Sequence, residues 1–350
     1  MTWVRCRRLR TGTVRVQYGR CAAAVGGSAA DRRSTLAAMA RQGVTAFVTG
    51  AGGFIGTELI HLLIARGCQV FGLTRSVDGA DRVRRAGAVA VIGDLRDPGQ
   101  WLDEAPADWV FHLPPHPVRG PRVSRADAAR IARERVALDA PLLDVLAGSA
   151  TRRIVYVADT SCYGALGSRA ITEDELPRPS AWGRRLTPAL DRLDGYIAAG
   201  LPIITALPGW VYGNGSWFRE RVIDPIITGR RVLQFGQTGP WVSPIHVHDC
   251  ARALIHLAEH GEEGRRYFVV NSDPVRLHDL APTFARLAGC PLRVRRVPAA
   301  AIRFVAGPVL AHDIRTDAVF ANIRLRGTGF RFRYPTLEQG LQQVVGALHE

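Results

Sequence analysis

Thr49-Gly50-Ala51-Gly52-Gly53-Phe54-Ile55-Gly56 decides the fold. It follows Val44–Thr49, a short β-branched run that reads as a buried strand. It opens Phe54–Arg66, where Ile55, Leu59, Leu62 and Leu63 recur at helical spacing. A glycine-rich turn between a first strand and a first helix is the context of a dinucleotide-binding fingerprint. In that context Gly50 makes the tight turn, Gly53 lets backbone approach a pyrophosphate, and Gly56 packs helix against strand. The N–H groups at the helix start, Phe54 and Ile55 among them, then hold phosphate oxygens with the help of the helix dipole.

Outward from this loop, strand and helix patterns alternate. Gln69–Leu73, Ala88–Ile92, Trp109–Leu113, Arg153–Ala158 and Pro202–Leu207 read as further strands. Arg125–Leu146 reads as a long amphipathic helix that Pro141 is expected to bend, and Thr187–Ala199 as another. Alternation of this kind gives βαβ units and a parallel sheet covered on both faces. The expected fold is therefore α/β, a Rossmann-type doubly wound parallel sheet over residues 43–208. A smaller C-terminal substrate-binding region over 209–350 follows, where shorter segments such as Arg231–Phe235, Cys250–Glu259 and Tyr267–Val270 succeed one another.

Composition narrows the chemistry. The chain has 350 residues, and all 46 basic residues are arginine. Mechanisms needing a lysine base, a Schiff base or a P-loop lysine are excluded. The net charge of +15 is uneven: residues 1–38 hold eight arginines against one acid, Asp31. That segment resembles a transit peptide or an upstream extension ahead of Met39, and it stands outside the expected fold. The later arginines are scattered, with no basic helix and no aromatic-interleaved patch, so nucleic acid is not expected as a partner. No apolar run reaches about 18 residues, so no membrane span is expected. Six widely spaced cysteines show no zinc spacing and read as reduced thiols of a cytoplasmic protein.

With these residues in view, the chain resembles the extended short-chain dehydrogenase/reductases, the NAD-dependent epimerase/dehydratase family. Gly50, Gly53 and Gly56 match the family's GxxGxxG spacing. Gly93-Asp94-Leu95 is similar to the family's Gly-Asp pair, whose acid contacts adenine. Phe111-His112-Leu113 resembles the end of the fourth strand, beside the cofactor ribose. Cys162-Tyr163-Gly164 resembles the Val-Tyr-Gly after the fifth strand. Leu207-Pro208-Gly209-Trp210-Val211-Tyr212-Gly213 resembles the segment flanking the nicotinamide, and Ile245-His246-Val247-His248-Asp249 the family's His-Val-Asp-Asp packing and capping segment. The resemblance spans about residues 43–346. It implies a homodimer through the helices Arg125–Leu146 and Thr187–Ala199.

Cofactor choice rests on Leu73-Thr74-Arg75. NAD users of the family usually hold an acid where Thr74 stands. Losing that carboxylate removes repulsion against a 2′-phosphate, and the Arg75 guanidinium can pair with it. NADP(H) is favoured over NAD(H).

The family's active site is altered. Enzymes of the family carry a Ser/Thr after strand five and a Tyr-x-x-x-Lys on the next helix. The tyrosine exchanges a proton with the substrate, and the lysine lowers its pKa and holds the ribose. Matching Pro179-Ser180-Ala181-Trp182-Gly183-Arg184-Arg185-Leu186 to the family's Pro-x-x-Tyr-Gly-x-x-Lys puts Trp182 in the tyrosine slot and Leu186 in the lysine slot. Asp159 takes the hydroxyl position, followed by Thr160 and Ser161. Asp159 is the candidate proton donor or acceptor, with Thr160 beside it; the plainer reading of Asp159 is a turn or cap residue. His112 and His116 are further proton-transfer candidates, and Pro114 and Pro115 replace the usual small residues after strand four. Trp210, Trp217, Trp241 and Tyr212 suit a planar or apolar ligand, though core packing explains tryptophans equally well.

The expected function is an NAD(P)(H)-binding oxidoreductase or epimerase/dehydratase-like enzyme acting on a small carbonyl, alcohol or lyase-type molecule. The alternatives are a catalytically degenerate dinucleotide sensor or scaffold, and a non-redox isomerase or cyclase.

Overall fold

β1 (Thr45–Thr49) is buried at every position and is an interior strand of a seven-stranded sheet. The computed structural model describes residues 43–98, 101, 107–114 and 123–348. Expectations for residues 1–38, Pro115 and His116 lie outside them.

From β1 the chain enters α1 (Phe54–Ala65), β2 (Gln69–Thr74), α2 (Val77–Arg85) and β3 (Val89–Ile92). It then crosses to β4 (Trp109–His112), α3 (Arg125–Leu146), β5 (Arg153–Val157), β6 (Gly167–Ile171), α4 (Gly183–Ala198) and β7 (Ile203–Pro208). α3 begins where the sequence places it, because Ser124 and Asp127 form a capping box. It runs on through Pro141.

Beyond β7 come β8 (Trp210–Tyr212), β9 (Val232–Phe235), β10 (Trp241–Val242), β11 (Pro244–His246), α5 (Val247–His260) and β12 (Arg266–Val269). β13 (Val275–Arg276), α6 (Leu280–Leu287), β14 (Val294–Val297), β15 (Ala318–Phe320) and α7 (Leu337–Gly346) complete the main elements. α2, β6 and α7 are not among the elements expected from the sequence.

The main sheet runs β3-β2-β1-β4-β5-β7-β12, and its pairs are parallel. Strand order reverses between β1 and β4, and a ligand crevice opens beyond the carboxyl ends at that point. β12, from the C-terminal half, completes this sheet. A second, four-stranded sheet, β13-β10-β15-β6, and the two-stranded pairs β8·β11 and β9·β14 build the rest.

Alternation along β5 assigns its two faces. Val155 joins the core formed with α1 and α5, while Tyr156 turns to Asp139 of α3. α3 and α4 also touch directly, through the Tyr196 hydroxyl, which donates to the Ala140 carbonyl (3.5 Å) and to Asp144. A separate apolar cluster holds α6 and α7 around Tyr212, Phe218 and Phe284.

No helix among the described residues is long and apolar enough to cross a membrane. Cys68, Cys162, Cys250 and Cys290 are free thiols.

Candidate functional site

The glycine loop folds as its sequence requires. Gly50 has φ +63°, and a Cβ there would meet the Leu113 carbonyl oxygen at 2.3 Å. A Cβ on Gly56 would lie 2.4 Å from the Gly50 carbonyl oxygen. Gly53 is different: it is exposed, with an ordinary φ of −84°, at the start of α1. No side chain caps α1 there. The first N–H groups of a helix have no intrahelical partner. Those of Phe54, Ile55 and Gly56 therefore face a cleft of about 2140 Å³ that the loop lines. An uncapped helix start over a turn that admits no Cβ at Gly50 or Gly56 fits a dinucleotide pyrophosphate.

One end of this cleft lies over β2 and β3. Leu73, Thr74, Arg75, Asp94 and Leu95 all line it. Arg75 is exposed and makes no ion pair among the described residues. Arg82, on α2, reaches back across the loop to donate through Nε to the Gly52 carbonyl (3.3 Å). It brings a second guanidinium to the same end. Asp94 accepts the Arg96 backbone N–H (2.9 Å) and Nη1 (3.2 Å), while its carbonyl accepts the Trp101 indole N–H (3.0 Å).

At the other end, Leu113, Pro114, Val157, Asp159 and Pro208 line the cleft. Asp159 caps the short 3-10 turn Thr160–Cys162: Oδ1 accepts the Ser161 N–H (2.8 Å) and Oδ2 accepts the Trp182 indole N–H (3.3 Å). The two residues that the sequence matches to the family's hydroxyl and tyrosine positions are thus bonded to each other. Thr160 is buried, and its carbonyl accepts the Tyr163 N–H (2.9 Å); Ser161 rather than Thr160 borders the cleft. Trp182 and Leu186 are buried on the cleft wall.

Beneath this end runs a polar network through the sheet. The Thr49 hydroxyl meets His112 Nδ1 (2.8 Å), and His112 Nε2 meets Asp139 (2.9 Å). Asp139 accepts from the Tyr156 hydroxyl and from Arg135 Nε (3.0 Å). Burial pushes the Asp139 carboxyl up, but the Arg135 charge and the His112 and Tyr156 hydrogen bonds outweigh it and hold the carboxyl below its usual range. Burial raises the Tyr156 phenol, keeping it a neutral donor. His112 is fully buried in this network and does not border the cleft.

Other sequence candidates separate. Trp210 and Trp217 pack edge to face, with centroids 5.2 Å apart, and both line the cleft. Tyr212 belongs to the apolar core around α6 and α7. Trp241 lies under the Arg276 guanidinium, 4.5 Å from its centroid, in the second sheet. The His246–Asp249 segment is a brace. His246 caps α5, His248 meets Glu58 (2.6 Å), and Asp249 accepts the N–H groups of Arg333 (2.8 Å) and Tyr334 (2.7 Å).

Sequence reasoning missed Arg82 and Arg135. Each is one arginine among many, and only the Arg135/Asp139 spacing of four on a helix hinted at a pair.

Comparison with known proteins agrees with this geometry. The model of the NAD dependent epimerase/dehydratase family matches residues 46–271. A 4-hydroxy-2-methyl-3-oxo-4-farnesyl-3,4-dihydroquinoline-1-oxide ketoreductase from Stigmatella aurantiaca is 28% identical over 269 residues, covering 74% of this chain and 78% of its own. A 3-diazoavenalumate denitrifying reductase from a Streptomyces species is 27% identical over 307 residues, covering 84% and 98%. Among solved structures, a human epimerase family protein with NADPH superposes with TM-score 0.71 at 20% identity, covering 86% of this chain and 99% of that one. A UDP-glucose 4-epimerase from Thermotoga maritima with UDP-glucose gives 0.73 at 18% identity, covering 87% and 98%. At such identities the structures speak for the fold, and the family match rests on the sequence. This chain belongs to the NAD dependent epimerase/dehydratase family.

Proposed function

We propose that this chain is an NADP(H)-dependent reductase of a small carbonyl compound with a planar or apolar body. One observation carries the reading: the glycine cradle, Asp159 and the Trp210/Trp217 pair line a single cleft. In strand order Asp159 stands at the end of β5, between β1 with its cradle and β7, which leads into the tryptophans.

NADP(H) is the cofactor this site favours. Thr74 stands where a carboxylate would repel a 2′-phosphate, and Arg75 and Arg82 both border that end. Two relatives are named as a ketoreductase and a reductase, which supports reduction as the reaction; one solved neighbour holds NADPH and another, a UDP-glucose 4-epimerase from Thermus thermophilus, NAD.

The dinucleotide supplies hydride when bound; the chain supplies the rest. Asp159 relays a proton from bulk solvent to the substrate oxygen, so that hydride and proton together make the alcohol. Trp182 holds Asp159 in place through its N–H, since an indole cannot itself exchange a proton near neutral pH. Thr160 contributes through the turn that presents Asp159. The two tryptophans flank the substrate's apolar body.

The test is NADPH oxidation followed at 340 nm against a panel of aromatic ketones and quinones, beside fluorescence titrations of NADPH and NADH. NADPH-dependent reduction is expected. Wild-type protein that binds neither dinucleotide would end this reading. The bonded Trp182–Asp159 pair also favours a second reading, a dinucleotide sensor. Tight NADPH binding with no turnover of any carbonyl compound would move the protein there.

A further inference from the structure

The nicotinamide side of the cleft contains a cation that the family relay does not include. Arg135 projects from α3, its side chain only 15% exposed, and borders the cleft. Nε donates to Asp139 (3.0 Å) and to the Tyr156 hydroxyl (3.1 Å). Nη2 donates to the same hydroxyl (3.0 Å) and to the Val157 carbonyl at the end of β5 (2.9 Å). Nη1 has no hydrogen-bond partner among the described residues, and it is not sealed from the cleft. The guanidinium is therefore locked on two of its nitrogens and open on the third. A donor already fixed in orientation loses little further freedom on meeting a ligand.

Strand order says which part of a dinucleotide lies there. The pyrophosphate belongs over the start of α1, after β1, and the adenosine ribose over the end of β2. β4 and β5 lie on the opposite side of β1. The nicotinamide riboside half must run that way, over Val157 and Arg135. Leu186 offers no donor on this wall.

We propose that Arg135, through Nη1, binds the nicotinamide riboside half of the dinucleotide, donating to its hydroxyl or carboxamide oxygens. This rests on the reading that the chain binds NADP(H). Asp139 neutralises the guanidinium from behind, so the pair presents a hydrogen-bond donor without an uncompensated buried charge.

The experiment compares two probes. NADPH carries the nicotinamide riboside half; adenosine 2′,5′-bisphosphate lacks it. Both are titrated by calorimetry into wild type, Arg135→Lys, and the double variant Arg135→Met/Asp139→Asn, which leaves no unpaired buried carboxylate. Circular dichroism and thermal melts report the fold of each. In the double variant NADPH should bind roughly tenfold to a hundredfold more weakly, the range for losing a charge-assisted hydrogen bond. The bisphosphate should stay within about twofold of wild type on the same scale. Arg135→Lys should weaken NADPH alone, because one ammonium cannot hold Val157, Tyr156, Asp139 and a ligand together. Should the double variant fail to fold, the lysine variant decides by the same comparison. Unchanged NADPH affinity overturns the proposal. A parallel loss for both probes overturns it too, since that marks Arg135 as a brace of β5. Wild type that binds the bisphosphate but gains nothing from the added riboside half overturns it while sparing the adenosine site. Wild type that binds neither probe removes the proposed function and this inference together.

Discussion

Gly56→Ala and Gly53→Ala should fail in opposite ways, although one methyl is added within one loop in each case. At Gly56 the new Cβ would lie 2.4 Å from the Gly50 carbonyl oxygen, 2.9 Å from that of Ala51 and 3.0 Å from the Ala51 Cα. All three are backbone atoms in the tight turn, so no side chain can move aside. Alanine improves helix propensity by about 0.5–1 kcal/mol. Overpacking a rigid contact costs about 1–3 kcal/mol, and parting β1 from α1 sits at the upper end of that range. The net loss expected for Gly56→Ala is about 1–2 kcal/mol in the apoprotein, or roughly 1.5–3 °C in Tm for a folded unit of this size. Gly53→Ala meets only the Gly50 carbonyl oxygen, at 3.0 Å, from an exposed position of ordinary φ. Its stability cost should stay near 0.5–1 kcal/mol, about the penalty for alanine at an N-cap. The methyl stands instead where the pyrophosphate approaches, so dinucleotide affinity should fall at least about tenfold, the equivalent of 1.4 kcal/mol. Gly52→Ala is the control: its Cβ would meet nothing nearer than the flexible Arg82 guanidinium at 3.5 Å. Differential scanning calorimetry of the apoproteins and NADPH titrations give both axes. A Gly56→Ala apoprotein melting at or above wild type would refute the packing argument. Gly53→Ala with wild-type affinity would refute the pyrophosphate site.

Further outcomes follow from the same geometry. Arg75→Ala should weaken NADPH about tenfold or more while leaving NADH within twofold, one charge-assisted phosphate contact being worth about 1.5–3 kcal/mol; equal losses for both would deny a 2′-phosphate site. Asp159→Asn should lower turnover by about two to four orders of magnitude without changing NADPH affinity; undiminished turnover would return Asp159 to a capping role. Burial pushes the His246 imidazole from its usual 6.5 to about 4, so folding favours its neutral form. Its contribution is whole above pH 6.5 and is lost as pH falls through 6.5 toward 4, about 3 kcal/mol in all. His246→Asn, which can still cap the His248 N–H, should flatten that part of the urea-midpoint profile; an unchanged slope would clear His246. Light scattering should give a dimer pairing through α3 and α4, and a monomer mass at micromolar concentration would dismiss it.

The Rossmann core was legible because its signals are local. A β-branched run, a glycine loop and a helical repeat fix β1, the turn and α1 within about twenty residues of chain. α3 was readable to the residue, since the Ser124–Asp127 cap and the apolar period agree. The weaker elements were not. α2 is rich in arginine and aspartate, with only Gly79, Ala80 and Val83 buried, and β6 buries only Ile171 at its last position. Such segments follow from what packs against them rather than from their own pattern.

The sequence by itself determined the fold class, the cofactor cradle and the loss of the Tyr-x-x-x-Lys relay, because each depends on residue types at short spacing. Composition made the last point unavoidable, since the chain has no lysine to offer. Tertiary structure alone decided how the residues matched to those positions meet. Trp182 and Asp159 are 23 residues apart and meet only because α4 returns to the end of β5. Arg82 comes back over the glycine loop from 30 residues away, and Arg135 reaches Val157 across 22. A guanidinium spreads its donors over three nitrogens at the end of a long, flexible stem, so its place in the chain does not reveal its target. In a chain with arginine at every turn, only packing distinguishes those that line the cleft from those that merely face water.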